Sequence, residues 1–310
     1  MIYLGFDTSN YTTSVACCGE SERNIRRLLL VKSGQRGLRQ SDALFQHVKQ
    51  LPDLYTELCD DIDIKKAVAV GVSISPRSVE GSYMPVFLAG EGYADVCAAS
   101  LGVPLYKFSH QDGHIMAGID SAKAYFLLDR PFISVHLSGG TCEILLTEFI
   151  KNRFSVKIIG GTKDISAGQL IDRIGVALGM NFPAGKEMEN LAKTADKGIK
   201  LPVNANDGYI NFSGIETKTL SLIKNEDNAA LSLGMFNAIA CAVSKAIVFC
   251  VEKYDISDVL VAGGVASNSI IKEYMQKNIN ANVYFASPEL STDNAYGIAL
   301  LTKICHENKW

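Results

Sequence analysis

The sequence predicts an α/β protein of two lobes with similar architecture. The first observation behind this is order. A strand, a turn, two more strands, a helix, a strand and a helix run from Ile2 to Leu101, and the same order begins again near Arg130. The second is that each copy opens with an apolar strand leading into a tight turn, Asp7-Thr8-Ser9-Asn10 in one and Ser138-Gly139-Gly140-Thr141 in the other. The third is size, since 310 residues correspond to about two domains of ordinary length. The copies repeat an architecture and share little residue identity. The expected division places residues 1–115 and 290–310 in an N-terminal lobe and 116–289 in a C-terminal lobe, with a ligand cleft between them.

In the first copy, Ile2–Phe6 is an apolar run and Thr12–Cys18 is β-branched and apolar, so both read as strands. A third strand is expected at Leu28–Val31. Ser41–Cys59 has helical spacing, with Leu44, Val48, Leu51, Leu54, Tyr55 and Leu58 on one side. Pro52 inside it marks an expected kink or break. Ala67–Ile74 reads as a buried strand and Val86–Leu101 as a helix of small residues. In the second copy the strands are Phe132–Leu137, Cys142–Thr147 and Phe154–Ile159. Ser166–Leu178 is helical, and Pro183-Ala184-Gly185 interrupts the chain after it. Val259–Ala262 ends in Gly263-Gly264, Val283–Ala286 is a late strand, and a terminal helix starts near Asp293.

Composition narrows the class. With 47% hydrophobic and 20% charged residues, the chain has a substantial core. A net charge of −3 gives no global sign of nucleic-acid binding, so any RNA contact needs a local patch. Arg23, Arg26, Arg27, Lys32, Arg36 and Arg39 form such a patch, as a solvated face or as a polyanion contact. None of the eight cysteines forms a C-x-x-C pair, which favours reduced, buried thiols and a cytoplasmic protein. Met1–Asp7 lacks the pattern of a secretory leader. The apolar stretch Ala238–Val251, interrupted by Ser244 and Lys245, is expected to be too short and too polar to span a bilayer.

Chemistry concentrates in a few motifs. His110-Gln111-Asp112-Gly113-His114 places two of the five histidines four residues apart, on one face of a helix, where both can bind one metal ion. Gln111 stands where a zinc protease needs its Glu base, so the pair suggests a metal without peptide hydrolysis. Ser138–Thr141 offers backbone N–H groups to a phosphate or carboxylate, and the Asp7–Ser9 turn does the same, with Asp7 available to a hydrated cation. Both turns also read as ordinary hairpins. Gly263-Gly264 lets a flat base lie on backbone, with Asn268 at a base or sugar edge or else at a helix N-cap. Asp172 and Glu189 flank the Gly185 turn and suit ribose hydroxyls, although Asp172 also reads as an exposed acid. His136 is either a core histidine or a metal donor beside the phosphate turn. Asp293 reads equally as a first-turn acid, and His47 and His306 as surface residues.

Together these motifs resemble the universal tRNA threonylcarbamoyltransferase family, formerly described as O-sialoglycoprotein endopeptidases. The resemblance rests on Gly5–Ser9, His110-x-x-x-His114, Ser138-Gly139-Gly140, Ala167-Gly168 with Asp172, Gly185, Gly263-Gly264-Val265 with Asn268, and Asp293-Asn294, in that order along nearly the whole chain. It implies the duplicated ASKHA fold (ribonuclease H-like) of actin, hexokinase and the heat-shock chaperones. It implies one divalent metal, iron or zinc, on His110, His114 and Asp293, and ATP, ADP or an acyl-adenylate, with or without Mg. The phosphate loop matches His136, Leu137, Ser138, Gly139 and Gly140, joined by Thr141 and by Ser9 in the first copy. Nucleoside contacts match Asp172, Gly185, Glu189, Gly263, Gly264 and Asn268. Asp7 and Ser138 become the candidates closest to the reaction. The implied activity moves a threonylcarbamoyl group from its adenylate to N6 of the adenine beside a tRNA anticodon, with partner proteins of that pathway or a homodimer, and no membrane.

Three departures stand out. Tyr11 and Thr12 replace the acidic pair of bacterial members. Ser75–Pro85 replaces a Gly-Pro-Gly-rich loop where substrate contacts are expected. His136 replaces the metal-binding Tyr of archaeal members, which makes it a candidate further ligand. The altered loop and acidic charge favour a paralogue with another acceptor as the second reading. A silent scaffold has no need of His110, His114 and Asp293, a sugar kinase has no role for the His pair, and a protease lacks its base.

Overall fold

The computed structural model describes residues 1–9, 11–31, 38–287, 289–290 and 293–308, in two compact units. Met1–Ser121, Phe149–Ser155 and Thr292–Trp310 form the first; Ala122–Glu148 and Val156–Ser291 form the second.

In the first unit, Ile2–Asp7 (β1), Thr12–Gly19 (β2) and Arg23–Leu28 (β3) make an antiparallel meander. The helix Gln40–Asp61 (α1) comes next, then Ala67–Ser75 (β4), the helix Phe87–Leu101 (α2) and Leu105–Ser109 (β5). The sheet order is β3-β2-β1-β4-β5, with β4 parallel to β1 and β5 parallel to β4. His110–Ser121 (α3) starts at the residue after β5.

Strand alternation assigns the sheet's two faces. Phe6 points to Tyr55 of α1, with ring centroids 5.8 Å apart. Gly5, one residue earlier, points the other way, toward Tyr296–Glu307 (α9). A Cβ on Gly5 would lie 2.4 Å from the Ala295 carbonyl, and one on Gly71 of β4 would lie 1.8 Å from Thr302 Oγ1. The glycines therefore let α9 lie directly on the strands.

The third strand is Arg23–Leu28, not Leu28–Val31. Its register, Thr12↔Leu28 to Cys17↔Arg23, places arginines on an edge strand, where charge is favoured and hydrophobicity is a poor guide. Leu28 and Leu30 are 71% and 79% exposed. α1 runs unbroken through Pro52. Its buried face of Ala43, His47, Leu51, Leu54 and Leu58 outweighs one missing N–H bond. The short edge strand β5 has no counterpart among the sequence expectations.

The second unit repeats the plan. Phe132–Leu137 (β6), Cys142–Ile150 (β7) and Arg153–Thr162 (β8) are succeeded by the helices Ala167–Ala177 (α4) and Gly185–Ala192 (α5). Asn204–Asn206 (β9), Tyr209–Asn211 (β10) and Ser213–Leu222 (α6) come next. Asn228–Tyr254 (α7), Asp258–Ala262 (β11), Ser269–Asn278 (α8) and Asn282–Phe285 (β12) complete it. The order β12-β11-β6-β7-β8-β10-β9 contains β8-β7-β6-β11-β12, the counterpart of β3-β2-β1-β4-β5, with the same parallel and antiparallel pairings where β6 meets β7 and β11.

By length and composition α7 does meet the requirement for crossing a bilayer, contrary to the expectation from Ser244 and Lys245. However, 67% of its apolar window is buried in this unit, where Leu231, Met235, Ile239, Val243 and Ile247 lie at 0% exposure. It is a core helix.

Candidate functional site

The α3 N-terminus is fixed by its own sequence. Asp112 accepts from the Ser109 backbone N–H and Ser109 Oγ accepts from that of Asp112. One helical turn then separates His110 from His114, and their Nε2 atoms stand 2.9 Å apart. Two bare lone pairs repel at that distance, so the contact needs a shared proton or a shared cation. Asp293 Oδ1 lies 3.5 Å from His110 Nε2 and 3.3 Å from His114 Nε2. Asn294 Oδ1 accepts from the Tyr296 and Gly297 N–H groups, which sets the entry to α9 and so the position of Asp293.

Behind His110 lies Asp7, fully buried at the end of β1. Its Oδ1 accepts from His110 Nδ1 at 3.0 Å and from Ser73 Oγ, and its Oδ2 accepts from Ser9 Oγ at 2.6 Å. Asp7 is thus the carboxylate that orients the imidazole, with both of its oxygens accepting from protein donors. Ser9 serves that carboxylate. Burial pushes Asp7 up, but the His110 charge and these hydrogen bonds hold it below the usual carboxylate range. Burial pushes His110 down, yet Asp7 and Asp293 raise it to about 10. Burial likewise raises Asp293, and the two histidines bring it well below normal.

The residues that sequence reasoning missed here are Ser73 and Thr12, whose Oγ1 donates to Asp293 Oδ2 at 3.4 Å. In sequence Thr12 stands out only as a departure from the bacterial pattern. The converging donors found among the described residues are His110, His114 and Asp293. His136 lies in the second unit, on β6, opposite Glu143 and beside Ala262.

The second unit holds a pocket of about 340 Å³ lined by Gly139, Asp172, Gly185, Lys186, Gly264 and Asn268, among others. Gly263 has φ +111°, and a Cβ there would sit 2.4 Å from the Leu137 carbonyl. That carbonyl accepts from the N–H groups of Val265 and Ala266, so Leu137 locks the glycine turn onto the end of β6. Gly168 is as tightly placed, its Cβ position 2.3 Å from Gly139 Cα, and Ser166 donates to the Gly139 carbonyl at 2.5 Å. The Ser138–Thr141 turn closes on itself through Ser138 N–H to Thr141 O and Thr141 N–H to Ser138 Oγ. The Gly139 and Gly140 amides take no part in those bonds.

Three of the residues expected at a nucleotide also make contacts within the protein. Asp172 is half-buried, not a bland surface acid, and its Oδ1 accepts from Ala184 N–H, holding the turn before α5. Asn268 is the N-cap of α8, its Oδ1 accepting from Ile271 N–H, which leaves its amide NH₂ to other partners. Glu189 Oε1 is occupied by Ser269 N–H and Oγ and by Lys193. Lys186 and Phe236, which also line the pocket, carried no sequence signal.

The remaining histidines are corrected too. His47 is fully buried, its Nδ1 2.8 Å from Thr13 Oγ1, because the helical face containing it packs on β2. His306 is half-buried, packed near Tyr3 and 3.5 Å from the Tyr106 hydroxyl. The basic patch is partly neutralised in space, with Arg23 on Asp61 and Arg27 on Asp53, while Lys32 and Arg36 lie outside the described residues. All eight cysteines are free thiols, six of them buried.

Among solved structures the chain resembles HypF from T. kodakarensis, with TM-score 0.65 and 14% identity over 99% of this chain and 47% of that one. It also resembles the activator of the 2-hydroxyisocaproyl-CoA dehydratase from Clostridium difficile, solved with bound ADPNP, with TM-score 0.55 and 16% identity over 100% and 97% of the two chains. A glucokinase of the ROK family from Streptomyces griseus gives TM-score 0.55 at 12% identity, over 98% and 100%. These likenesses establish the duplicated ASKHA fold. In sequence, the chain is 30% identical to the tRNA N6-adenosine threonylcarbamoyltransferase of Thermus thermophilus, over 97% of this chain and 91% of that protein. It is 28% identical to that of Sulfurihydrogenibium, over 96% and 89%. Residues 31–300 match the family profile described as tRNA N6-adenosine threonylcarbamoyltransferase, and the chain belongs to that family.

Proposed function

We propose that the chain transfers a threonylcarbamoyl group from its adenylate to N6 of the adenine beside a tRNA anticodon. A divalent metal, iron or zinc, would sit on His110, His114 and Asp293, and the nucleotide in the Gly139–Asn268 pocket, with partner proteins of the same pathway or a second copy assembled around it. The observation that carries the metal assignment is the donor triangle of 2.9, 3.3 and 3.5 Å. Three ligands on an ion with bonds of roughly 2.0–2.2 Å stand about 3–3.5 Å apart. Two imidazoles and one carboxylate suit iron or zinc better than magnesium.

When bound, the metal supplies Lewis-acid polarisation of the carbamoyl carbonyl. The protein's own part is orientation. Asp7 Oδ1 holds the Nδ1 proton of His110, so that ring presents its Nε2 lone pair toward His114 and Asp293. In the second unit the amides of Gly139 and Gly140 suit a phosphate, and the lysine at the start of α5 adds the positive charge that a polyphosphate or adenylate needs. Asp172 and the Asn268 amide NH₂ are the polar groups for ribose and base.

The test is rescue of a strain depleted of its own transferase, with threonylcarbamoyladenosine measured in its tRNA. The wild-type chain is expected to restore the nucleoside, and His110→Ala and Asp293→Ala to fail. No rescue by wild type in the presence of the host's partner proteins overturns the tRNA acceptor and favours the paralogue reading that the Ser75–Pro85 loop motivates.

A further inference from the structure

We propose that Thr12 is a positioning residue of the metal site. Its hydroxyl holds Asp293 Oδ2, so that Asp293 binds the ion through Oδ1 alone and one coordination position stays open to substrate. The inference rests on the metal reading given above and goes beyond it, to how many positions the protein itself fills.

Thr12 is set by its strand. It is the first residue of β2, its N–H donates to the Ser9 carbonyl at 3.1 Å, and it pairs with Leu28 of β3. Alternation along β2 then sorts three successive hydroxyls. Thr13 faces α1, where its Oγ1 meets His47 and Gln50. Thr12 and Ser14 take the opposite face, Ser14 donating to the Asp7 carbonyl at 3.3 Å and Thr12 to Asp293 Oδ2 at 3.4 Å. Thr12 is 5% exposed, and its β-branched side chain has little freedom about χ1, so Oγ1 is confined to this neighbourhood. The two oxygens of Asp293 thus have different neighbours. Oδ1 stands 3.3 Å from His114 Nε2 and 3.5 Å from His110 Nε2, while Oδ2 accepts from Thr12. A hydroxyl bonded to a carboxylate oxygen draws on the electron density that a second bond to an ion would need. Held in this way, Asp293 counts as one ligand, and with two histidines the protein supplies three. Three protein ligands leave the fourth position of a zinc-like ion to water or substrate, whereas a carboxylate bound through both oxygens fills it. Polarising a substrate carbonyl requires that open position. Thr12 also stands within the pair of positions where bacterial members of the family carry acids. An acid at this point would bring a further anionic oxygen to Asp293. Threonine brings a donor and no charge, so a divalent ion on two neutral imidazoles and one carboxylate keeps a net positive charge.

The probe is Co²⁺, titrated into the full-length protein after treatment with a chelator, because its d–d absorption is strong at low coordination number and weak at high. The wild-type chain is expected to take up Co²⁺ saturably with strong bands. Thr12→Val keeps the shape and the β-branch and removes the hydroxyl. It is expected to lose band intensity, as Asp293 turns both oxygens to the ion, with thermal unfolding of the metal-free chain unchanged. Thr12→Ser, which restores a hydroxyl, is expected to give the wild-type spectrum, a rescue that a packing role for the threonine methyl would not produce. Loss of Co²⁺ uptake by Thr12→Val with uptake kept by Thr12→Ser supports the proposal as well, since the hydroxyl is then what holds Asp293 in place. Thr12→Ala gives the same reading should Thr12→Val not fold. A wild-type spectrum in Thr12→Val, or the same change in Thr12→Ser as in Thr12→Val, overturns the proposal while leaving the metal site standing. Failure of the wild-type chain to take up Co²⁺ overturns the metal reading itself, and this proposal with it.

Discussion

At the residue scale, the carboxylate behind a histidine matters as much as the histidine. Asp7 is completely buried and held by Ser9, Ser73 and His110, so its work is to fix one tautomer and one ring angle. Asp7→Asn keeps the shape and removes the charge. Metal affinity is then expected to fall about 10–100-fold, the usual effect of losing such a partner, read as metal content after dialysis against a graded chelator. An unchanged affinity would show that the imidazole is held by the fold alone. His47 gives a second prediction. Burial lowers it to about 4, against 6.5 for a free imidazole, even though the Asp7 charge pulls the other way. The folded state therefore prefers neutral His47. Its contribution is complete above pH 6.5 and is lost as pH falls from there toward 4, by roughly 3 kcal/mol. Urea unfolding across that window is expected to show a smaller acid loss for His47→Gln than for wild type. The sequence could not separate this histidine from a surface one, since α1 carries it on a stripe whose burial depends on which strand lies beneath. The His110–His114 pair was legible because its spacing is a property of one helix. Thr12 and Ser73 were not, because nothing in sequence joins them to residues hundreds or scores of positions away.

At the element scale, apolar strands ending in turns were readable because both signals are local. The errors came where tertiary packing overrode a local rule. α1 tolerates Pro52 because a whole face of leucines is buried, and β3 is arginine-rich because it is an edge. The glycine turn after β11 shows how a local motif acquires a precise mechanical role. Gly263 combines φ +111° with a Cβ position 2.4 Å from Leu137 O, whereas Gly264 next to it has open space. Gly263→Ala is expected to cost at least about 2 kcal/mol, from a strained backbone plus a clash with backbone that cannot give way. Gly264→Ala is expected to be close to neutral in stability. Denaturant midpoints for the two variants, at unchanged m-value, check the contrast. Equal losses would mean that the turn is reshaped as a block.

At the scale of the whole molecule, the chain leaves the first unit at Ser121 and ends in it again from Thr292 onward. The terminal helix had a sequence signal, the Asp293-Asn294 pair before an apolar run, but the density of its packing had none. α9 lies against β1, β4 and α3 through glycines on both sides of the contact, with Gly297 set so that a Cβ would stand 1.9 Å from the Gly113 carbonyl. Gly113 lies immediately before His114, and Gly297 lies four residues after Asp293. One close contact between two helices thus sets the distance between donors that are remote in sequence. Gly297→Ala must push α9 from α3, since neither backbone can move aside on its own. The expected result is a loss of metal affinity together with a lower unfolding midpoint for the first unit. Nucleotide binding to the second unit should persist, because none of its pocket residues belongs to α3 or α9. Metal content, thermal unfolding and nucleotide titration on one preparation distinguish the cases. Loss of metal and nucleotide binding together would show that the two units fold as one, and retention of both would show that the α3–α9 contact is not what sets the donor spacing.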